Sequence, residues 1–478
     1  MAAVQPRRPV IVMEFNELCP ALLDQWMREG RLPNFKRLHD QCAVFTTDAD
    51  VTDSGQLEPW IQWYSVHTGL AYRQHRVFHL TEGVQAGHRD IYRALLDNGR
   101  RVGSMASMNV APFARKGSFF VGDPWSENGD ASPPALNIYN RFVSHNVREY
   151  SNASNRMGLC DYFGFLHFMV AHGLSVSTIA RILAQLAAEK VGDHRRSYKR
   201  VAILDRLQFD LFKNLYLRDR PDFATFFLNS TAHLQHSYWR HMDPDAFTVR
   251  PNAGETAVYG DAIRFGYEAM DGLVGKFLAL ADRTKAVPMM MTALSQQPFL
   301  RHEEQGGQHF YRLHNAEIFL RGLGVAYSDV DPTMTHQYLA RFAGPAEVAA
   351  ARARIEQLRL VGTDAGASIL FGFASVDAGD DGLYFGCQIS TQVSADAQIR
   401  DDATGEHFPF ARLLYKIEAI KSGRHHPEGA LWIGADRPCV HSDHASILDV
   451  FPTVLDMLGI AEPAEEREGR SLMPLLAA

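Results

Sequence analysis

The chain has 478 residues, of which 46% are hydrophobic and 22% are charged, and its formal net charge is −7. This length allows two or three domains, or one large elaborated domain. The composition is ordinary for a globular protein, and the negative net charge argues against a nucleic-acid partner.

The cysteines and the N-terminal residues limit the class of protein further. The five cysteines are scattered along the chain without CxxC spacing, which argues against a disulfide framework and against a thiolate zinc site. The first residues lead into a strand-like segment without the apolar core of a signal peptide, and no segment has membrane-spanning length. We therefore expect a soluble, cytoplasmic protein without a membrane span.

The first part of the chain predicts two strands separated by two short helices. Residues 9–15 form a β-branched run that is typical of a strand buried on both faces. Pro20 suits the first turn of a helix that runs to about Glu29, and a second helix follows Pro33. Residues 43–47 are again strand-like.

The segment 58–70 follows the second strand across an acidic loop and begins with Glu58-Pro59. Pro59 suits the first helical position, and Glu58 then occupies the N-cap, where its carboxylate would face the free N–H groups and the positive end of the helix dipole. A strand, a loop and a helix N-terminus together form a site suited to anions. The alternative is a tryptophan-containing core helix with a capping glutamate.

The rest of the chain continues to alternate between helical and strand-like segments. Helices are predicted at 88–98, 174–191, 197–217, 262–281, 345–358 and 445–458, and strands at 101–105, 223–228, 287–294, 369–373, 382–389 and 430–434. This alternation indicates an α/β fold with a doubly wound, mostly parallel sheet and helices on both faces. We divide the chain into core segments 1–118, 223–298 and 421–478, a helical and loop insertion at 119–222 and a cap-like insertion at 299–420.

Polar side chains stand at the ends of several predicted strands. In chain order they are Glu14, Asn16, Glu17, Asn229, His233, His236, Gln296, Gln297 and His425. Because ligand-binding groups in open α/β sheets lie at the carboxyl edge of the strands, we expect these side chains to converge. His233 and His236 are three residues apart, so they share one face of a helical turn and would reach one ion. A hydrogen-bonded structural pair of histidines is the alternative.

Six short motifs occur in a fixed order along nearly the whole chain. They are Gly30-Arg31-Leu32-Pro33-Asn34-Phe35-Lys36-Arg37-Leu38, Trp63-Tyr64-Ser65-Val66-His67-Thr68-Gly69 followed by His75, Gln235-His236-Ser237-Tyr238-Trp239, Asp271-Gly272-Leu273-Val274-Gly275, Asp449-Val450-Phe451-Pro452-Thr453-Val454-Leu455 with Leu458-Gly459-Ile460, and Gly469-Arg470-Ser471-Leu472. Together they resemble the type I phosphodiesterase/nucleotide pyrophosphatase branch of the alkaline phosphatase superfamily. The resemblance implies two divalent ions, usually zinc, a Thr or Ser nucleophile at a helix N-terminus, and hydrolysis of phosphate esters.

The chain departs from that pattern where the chemistry is expected. The nucleophile position falls on Glu58 or Pro59, and Ser54 is the nearest hydroxyl group upstream. The position of an aspartate after the first strand falls on Asn16, and Gln296 with Gln297 replaces an Asp-His pair. Neutral amides do not offset the desolvation of a divalent ion as carboxylates and imidazoles do, so we expect one metal site to be lost.

The second metal site is expected to persist in part and to bind one zinc or manganese ion. Its predicted ligands are Asn229, His233 and His425, with Glu14 and Glu17 as additional candidates.

The first hypothesis for function is an atypical phosphoesterase-like hydrolase or transferase that acts on a phosphate ester, such as a sugar phosphate or a glycan-linked phosphate. The predicted catalytic groups are Glu58, His233 and His236, with water or Ser54 as other candidate nucleophiles. The predicted substrate-binding residues are Asn16, Gln62, Gln296 and Gln297. The second hypothesis is a pseudoenzyme that binds an anionic or carbohydrate ligand in the same pocket.

A third hypothesis assigns the regions 119–161 and 299–401 to a cap over a large carbohydrate or lipid-linked substrate. Aromatic side chains in or near these regions suit stacking on sugars, namely Trp125, Trp239, Phe310 and Tyr311. The alternative is that each of these aromatics packs in the core.

Overall fold

The computed structural model describes residues 8–53, 55–78, 80, 82–125, 131–149, 158–332, 336–362, 367–373, 380–417, 421–461 and 467–477. Within them the α-helices are α1 (Pro20–Arg28), α2 (Pro33–His39), α3 (Pro59–Thr68), α4 (Tyr72–His75), α5 (Ile91–Asp97), α6 (Asn137–Glu149), α7 (Leu159–Ala171), α8 (Val176–Val191), α9 (Val201–Asp219), α10 (Ser230–Met242), α11 (Ala253–Tyr259), α12 (Ala262–Thr284), α13 (Ala316–Gly322), α14 (Pro345–Ile355), α15 (Phe410–Leu413), α16 (Val450–Leu458) and α17 (Met473–Ala477).

The strands are β1 (Val10–Phe15), β2 (Cys42–Asp48), β3 (Val102–Met105), β4 (Phe119–Val121), β5 (Phe223–Leu228), β6 (Val287–Met291), β7 (Ser295–Pro298), β8 (Tyr311–Leu313), β9 (Asp329–Pro332), β10 (Gln337–Arg341), β11 (Leu358–Val361), β12 (Ser368–Ile369), β13 (Phe371–Phe373), β14 (Gly382–Cys387), β15 (Gln398–Asp401), β16 (His407–Pro409), β17 (Leu414–Lys416), β18 (Gly423–His426), β19 (Glu428–Gly434), β20 (Cys439–Val440) and β21 (Ala445–Ser446).

A nine-stranded sheet organises the larger part of the chain. Its strand order is β20-β2-β19-β6-β1-β5-β3-β4, and β21 pairs with β2. The pairings of β1, β3, β5 and β6 with one another and with β4 are parallel, whereas β19 runs antiparallel to both β2 and β6. The predicted mostly parallel α/β sheet is therefore confirmed.

Strand β1 is buried on both faces because apolar side chains alternate between two cores. Ile11, Met13 and Phe15 contribute to a hydrophobic cluster with α1, α2, α9 and α12. Val10 and Val12 contribute to a second cluster on the opposite face, with α3, α5 and α16. Helices therefore cover both faces of the sheet, as a parallel sheet requires.

Two of the sequence motifs meet at the N-terminus of α2. The carboxylate of Asp271 accepts hydrogen bonds from the backbone N–H groups of Asn34 and Phe35, at 2.9 Å each, and from Asn34 Nδ2 at 2.8 Å. Gly275 lies one turn further along α12, where a Cβ atom would come within 2.7 Å of Asn34 Oδ1. These motif residues therefore dock α2 on α12.

The two C-terminal motifs also contact each other. Asp449 Oδ1 accepts a hydrogen bond from the backbone N–H of Arg470 at 2.8 Å, and Thr453 Oγ1 accepts one from Leu472 at 2.9 Å. A Cβ atom at Gly469 would overlap the carbonyl group of Leu448. These residues anchor the chain after α16 against the core.

Several predicted boundaries were wrong. β4 pairs with β3 at the edge of the central sheet, so Phe119–Val121 belong to the core and not to the insertion. Helix α5 begins only after Asp90, whose side chain accepts a hydrogen bond from Arg93 N. Helix α7 was missed because its residues are apolar on nearly every side, which leaves little helical periodicity to detect.

The expected cap-like insertion contains two four-stranded antiparallel sheets, β13-β14-β10-β9 and β12-β11-β15-β16. They share a hydrophobic cluster of their own, which includes Tyr338, Ile355 and Ile399. Within the described residues, no helix combines the length and the apolar composition needed to cross a membrane.

The contact between Asp271 and α2 predicts a measurable loss of stability. Asp271→Ala removes the acceptor of two otherwise free N–H groups, so we expect the free energy of unfolding to fall by about 2 kcal/mol in urea titrations. Asp282→Ala, which removes only a surface ion pair with Arg37, is the control and is expected to cost less than about 0.5 kcal/mol. Equal losses in the two variants would contradict a capping role for Asp271.

Candidate functional site

The site is built around Glu17, two residues past the end of β1. Its backbone has φ 59°, in the left-handed region that residues other than glycine rarely adopt. The carbonyl oxygen of Glu17 accepts a hydrogen bond from Gln235 Nε2 at 2.7 Å. Gln235 Oε1 in turn accepts one from the hydroxyl group of Tyr267, which itself accepts one from Cys19 N at 2.7 Å. This chain of hydrogen bonds holds the unusual backbone conformation in place.

The carboxylate of Glu17 is almost fully buried and accepts hydrogen bonds from two side-chain amides. Asn16 Nδ2 donates to Oε1 at 2.7 Å, and Gln296 Nε2 donates to Oε2. Asn16 also donates to Asn229 Oδ1 and accepts a hydrogen bond from Trp63 Nε1, both at 2.7 Å. The amides of Asn16 and Gln296 are thus occupied in positioning a carboxylate.

Two histidines complete the cluster around Glu17 Oε2. His236 Nε2 lies 3.0 Å from this oxygen, and His425 Nε2 lies 3.4 Å from it. His236 extends from α10, and His425 extends from β18 at the position paired with Gln296 of β7. The predicted convergence at the carboxyl edge of the sheet therefore occurs for these residues.

Hydrogen bonding orients both imidazole rings. His236 Nδ1 faces the carbonyl oxygen of Gly423 at 3.2 Å, and His425 Nδ1 lies 3.5 Å from Glu58 Oε2. An acceptor at Nδ1 favours a proton there, so Nε2 is the ring nitrogen that contacts Glu17 Oε2, and its lone pair would face a metal ion once the Nε2 proton is released.

The charges in the cluster act strongly on one another. Burial alone would raise the pKa of Glu17, but the nearby His425 and His236 rings and their hydrogen bonds lower it well below its usual value. Burial lowers the pKa of His425, but the charges of Glu17 and Glu58 and hydrogen bonds to Glu17 and the Leu57 backbone raise it to about 9. Without a metal ion, the cluster therefore favours an ionised Glu17 next to a protonated His425.

The donor set of Glu17, His236 and His425 fits a divalent metal ion. One donor atom from each residue lies within 4.8 Å of the other two. A tetrahedral ion with ligands about 2.1 Å away holds its ligand atoms about 3.4 Å apart, close to the observed separations from Glu17 Oε2. The amide and carbonyl partners described above supply the outer contacts that metal ligands need.

Glu58 occupies the N-cap position of α3, as predicted, but its carboxylate does not cap the helix. It turns instead towards His425. The side chain is 27% exposed. Burial raises the pKa of Glu58 to about 7, His425 opposes this shift, Glu17 adds to it, and Lys421 also opposes it. Glu58 is therefore a carboxyl group at the rim of the cluster.

His233 lies on the same helix as His236 but outside the group of three donors. Burial, together with the positive charges of His236 and Lys421, lowers the pKa of His233 to about 4. The prediction placed Asn229, His233 and His425 around the ion, whereas the group of three donors consists of Glu17, His236 and His425. The ligand set therefore remains a prediction. Lys421, whose positive charge lowers the pKa of both His233 and Glu58, was not predicted as a site residue. Its position in the segment that leads to His425 is the feature of the sequence that could have identified it.

Three other predicted residues lie away from the cluster. Glu14 faces the opposite side of β1, where its carboxylate contacts His67 Nε2 at 2.9 Å and Ser107 Oγ at 2.6 Å. Gln62 is fully buried in α3, where its Oε1 accepts a hydrogen bond from Asp50 N at 2.8 Å. Gln297 follows Gln296 in β7, so its side chain points to the other face of that strand.

The remaining candidates have minor roles or lie outside the described residues. Asn229 is linked to the site through its hydrogen bond from Asn16. Ser54 falls outside the described residues. Among the aromatics proposed for sugar stacking, Trp239 and Tyr311 are buried, and Tyr311 packs edge-on against Phe410. Trp125 is partly buried against the core, and Phe310 contacts His336.

No protein-family model matches the chain, and no curated protein is similar to it in sequence. Among solved structures, the chain is similar to phosphonoacetate hydrolase from Sinorhizobium meliloti in complex with phosphonoformate, at 15% identity over 93% of this chain and 94% of that chain, with a TM-score of 0.41. It is similar to human ectonucleotide pyrophosphatase/phosphodiesterase 5 at 8% identity over 98% of this chain and 100% of that chain, with a TM-score of 0.42.

The inactive form of the murine pyrophosphatase/phosphodiesterase 5 in complex with AMP is similar at 8% identity over 95% of this chain and 96% of that chain, with a TM-score of 0.37. The human and murine proteins carry the name of the branch that the sequence motifs resemble. At these identities, the roles of individual residues in this chain rest on its own geometry.

A buried carboxyl group at the start of α10, the helix that carries His236, predicts that the stability of the protein depends on pH. Asp205 Oδ2 accepts a hydrogen bond from Ser230 Oγ at 2.6 Å, at the start of α10, and burial raises the pKa of Asp205 to about 7. The folded-state pKa lies above the unfolded value, so this stabilisation is complete below about pH 4 and is lost as the pH rises through 7. In the unaltered protein, we expect the free energy of unfolding in urea to fall by on the order of 2 to 4 kcal/mol between these pH values. In Asp205→Asn, we expect this fall to be absent. Parallel pH curves for the two proteins would contradict this assignment.

Proposed function

We propose that the chain is an atypical hydrolase or transferase that acts on a phosphate ester with one divalent metal ion. The observation that carries the proposal is the convergence of a buried carboxylate and two imidazole nitrogens next to a second, more exposed carboxyl group. The substrate class follows from the resemblance of the sequence motifs to phosphodiesterases and nucleotide pyrophosphatases. Two imidazoles and one carboxylate suit zinc or manganese.

In this proposal, Glu17, His236 and His425 hold the ion, which supplies Lewis-acid polarisation of a phosphoryl oxygen. Asn16 and Gln296 fix the two oxygens of Glu17, so that one carboxylate conformation is available before the ion binds. The carbonyl group of Gly423 fixes the ring of His236 in the same way. The chain's own contribution is therefore a rigid set of ligands.

Glu58 is the proposed proton-transfer group. Its carboxyl group lies next to His425 and is partly exposed, so it is placed to take a proton from an attacking water molecule or to give one to a leaving alcohol. His233 lies on the same side of α10 as His236 and is the second candidate for this role. The ammonium group of Lys421 acts on both, and it would favour an anionic substrate at this position.

The alternative proposal is a pseudoenzyme that binds an anionic or carbohydrate ligand in the same place. That hypothesis requires neutral side-chain amides that are free to contact a ligand. Asn16 and Gln296 instead donate to Glu17, so the described contacts support a metal site better than a sugar site.

Metal binding is the first test. After chelation, titration of the protein with Zn²⁺ in a calorimeter should give about one ion per chain. We expect Glu17→Gln and His236→Ala to weaken binding at least tenfold, because each removes a ligand. His426→Ala, on the strand that carries His425, is the control and should bind zinc as the unaltered protein does. A chelated protein that takes up neither zinc nor manganese would rule out metal-assisted hydrolysis at this site.

Turnover distinguishes the enzyme from the pseudoenzyme. We expect the metal-loaded protein to hydrolyse p-nitrophenyl phosphate or its diester, and Glu58→Gln to lower kcat by about 10²–10⁴ while the variant still binds about one zinc ion per chain. Asp53→Asn, an exposed change in the preceding loop, is the matched control. Binding of inorganic phosphate without turnover of either ester would favour the pseudoenzyme.

A further inference from the structure

Two helices of the insertion between β4 and β5 present large apolar side chains to solvent. These side chains are 37 to 89% exposed and are Tyr162, Phe163, Leu166 and Val170 on α7, and Val176, Ile179, Leu183, Leu186 and Val191 on α8. We call them the apolar hairpin face, since only residues 172–175 separate the two helices. Single exposed apolar residues are common, but nine on two consecutive helices are not.

The inner side of α7 is apolar as well. Phe165, Phe168 and Met169 are buried in the core, and the ring of Phe165 stacks on Phe142 with centroids 3.6 Å apart. A helix that is apolar on both sides normally has a nonpolar environment on both sides. The outer side of α7 has none among the described residues, so it calls for a partner.

Helix α8 repeats the pattern with regular spacing. Val176, Ile179, Leu183 and Leu186 follow intervals of three and four residues, which place them on one stripe. The side facing the core is formed by Thr178, which is buried, and Ile182. The stripe is therefore a second exposed apolar surface, on the helix that follows α7 in the chain. A partner in a standard interface covers about 800 Å², and nine large apolar side chains offer an area of that order.

The charge of this region indicates the chemistry of the partner. Residues 158–200 contain six lysines and arginines against three acidic residues, a net charge of +3 in a chain whose net charge is −7. Asp193 pairs with Arg195, and Glu189 pairs with Arg200. Arg181, Lys190 and Arg196, which are exposed, and Lys199 supply the other four positive charges, and Asp161 offsets one of them.

In a dimer formed through this face, two positively charged regions would lie close together and repel each other. An anionic lipid surface would instead attract the positively charged region. An apolar helix face combined with flanking arginine and lysine and with exposed aromatic rings is typical of helices that lie in a membrane interface. We propose that the apolar hairpin face docks α7 and α8 on the surface of an anionic bilayer. The basic side chains then lie at the level of the headgroups, and no spanning helix is needed. This inference does not depend on the proposed function.

The test is co-sedimentation of the full chain with lipid vesicles. We expect binding to phosphatidylcholine vesicles that contain about one third phosphatidylserine to be at least tenfold stronger than binding to pure phosphatidylcholine. The double variant Phe163→Gln/Leu183→Gln should weaken binding at least tenfold, because it removes two large apolar anchors. Arg181→Gln/Lys190→Gln should weaken binding only to the anionic vesicles.

Ile318→Gln is the matched control, since Ile318 is 68% exposed on α13, far along the chain from the hairpin. It should bind vesicles as the unaltered protein does, and all variants should keep the far-ultraviolet circular dichroism and the urea unfolding midpoint of the unaltered protein. A dimer in light scattering that Leu183→Gln dissociates, without vesicle binding, would overturn the proposal in favour of a second copy. A monomer that remains in the supernatant with both kinds of vesicle would also overturn it.

Discussion

The burial of one carboxylate, that of Glu17, constrains the rest of the site. A buried charge is stable only when hydrogen bonds and opposite charges offset its desolvation. Here two amides and two imidazoles do so, and they come from the end of β1, from β7, from α10 and from β18. The sheet order brings these elements together because β1 lies between β5, which leads into α10, and β6, which leads into β7. The fold thus converges on a single carboxylate group.

This constraint explains how polar residues replace the metal ligands that the resemblance implies. Asn16 and Gln296 carry no charge, and both donate a hydrogen bond to Glu17. The described residues therefore form one group of candidate metal ligands, where the resemblance implies two metal ions. A neutral amide is a weak ligand for a divalent ion and a good donor to a carboxylate. The substitutions therefore change the partner of each side chain and preserve a connected network.

The sequence motifs predicted the fold better than the site because most of them are packing contacts. Asn34 with Asp271, and Thr453 with Leu472, join elements that are distant in the chain, and these contacts need particular residues at particular positions. Glu14 was predicted as an additional ligand, although strand alternation places it on the same face as Val10 and Val12, where it contacts His67 and Ser107 instead. The choice between His233 and His236 depends on the rotation of α10 about its axis, which tertiary packing determines and three-residue spacing does not. The apolar α7 was missed for a similar reason, since periodicity fails when both sides are nonpolar.

Glu58 occupies the position where the resemblance implies a Thr or Ser nucleophile, at the N-terminal end of α3. Its orientation determines whether that helix end can attract an anion. An N-cap carboxylate that bonded to the first turn of α3 would neutralise the positive end of that helix. Glu58 faces His425 instead, so the helix end keeps its partial charge, and the carboxyl group becomes available for proton transfer. A glutamate at this position is longer than a serine or threonine, and its carboxylate reaches the neighbouring histidine across the rim. Under the proposed function, this geometry therefore assigns proton transfer to Glu58 in preference to a covalent phosphoryl intermediate on a hydroxyl group.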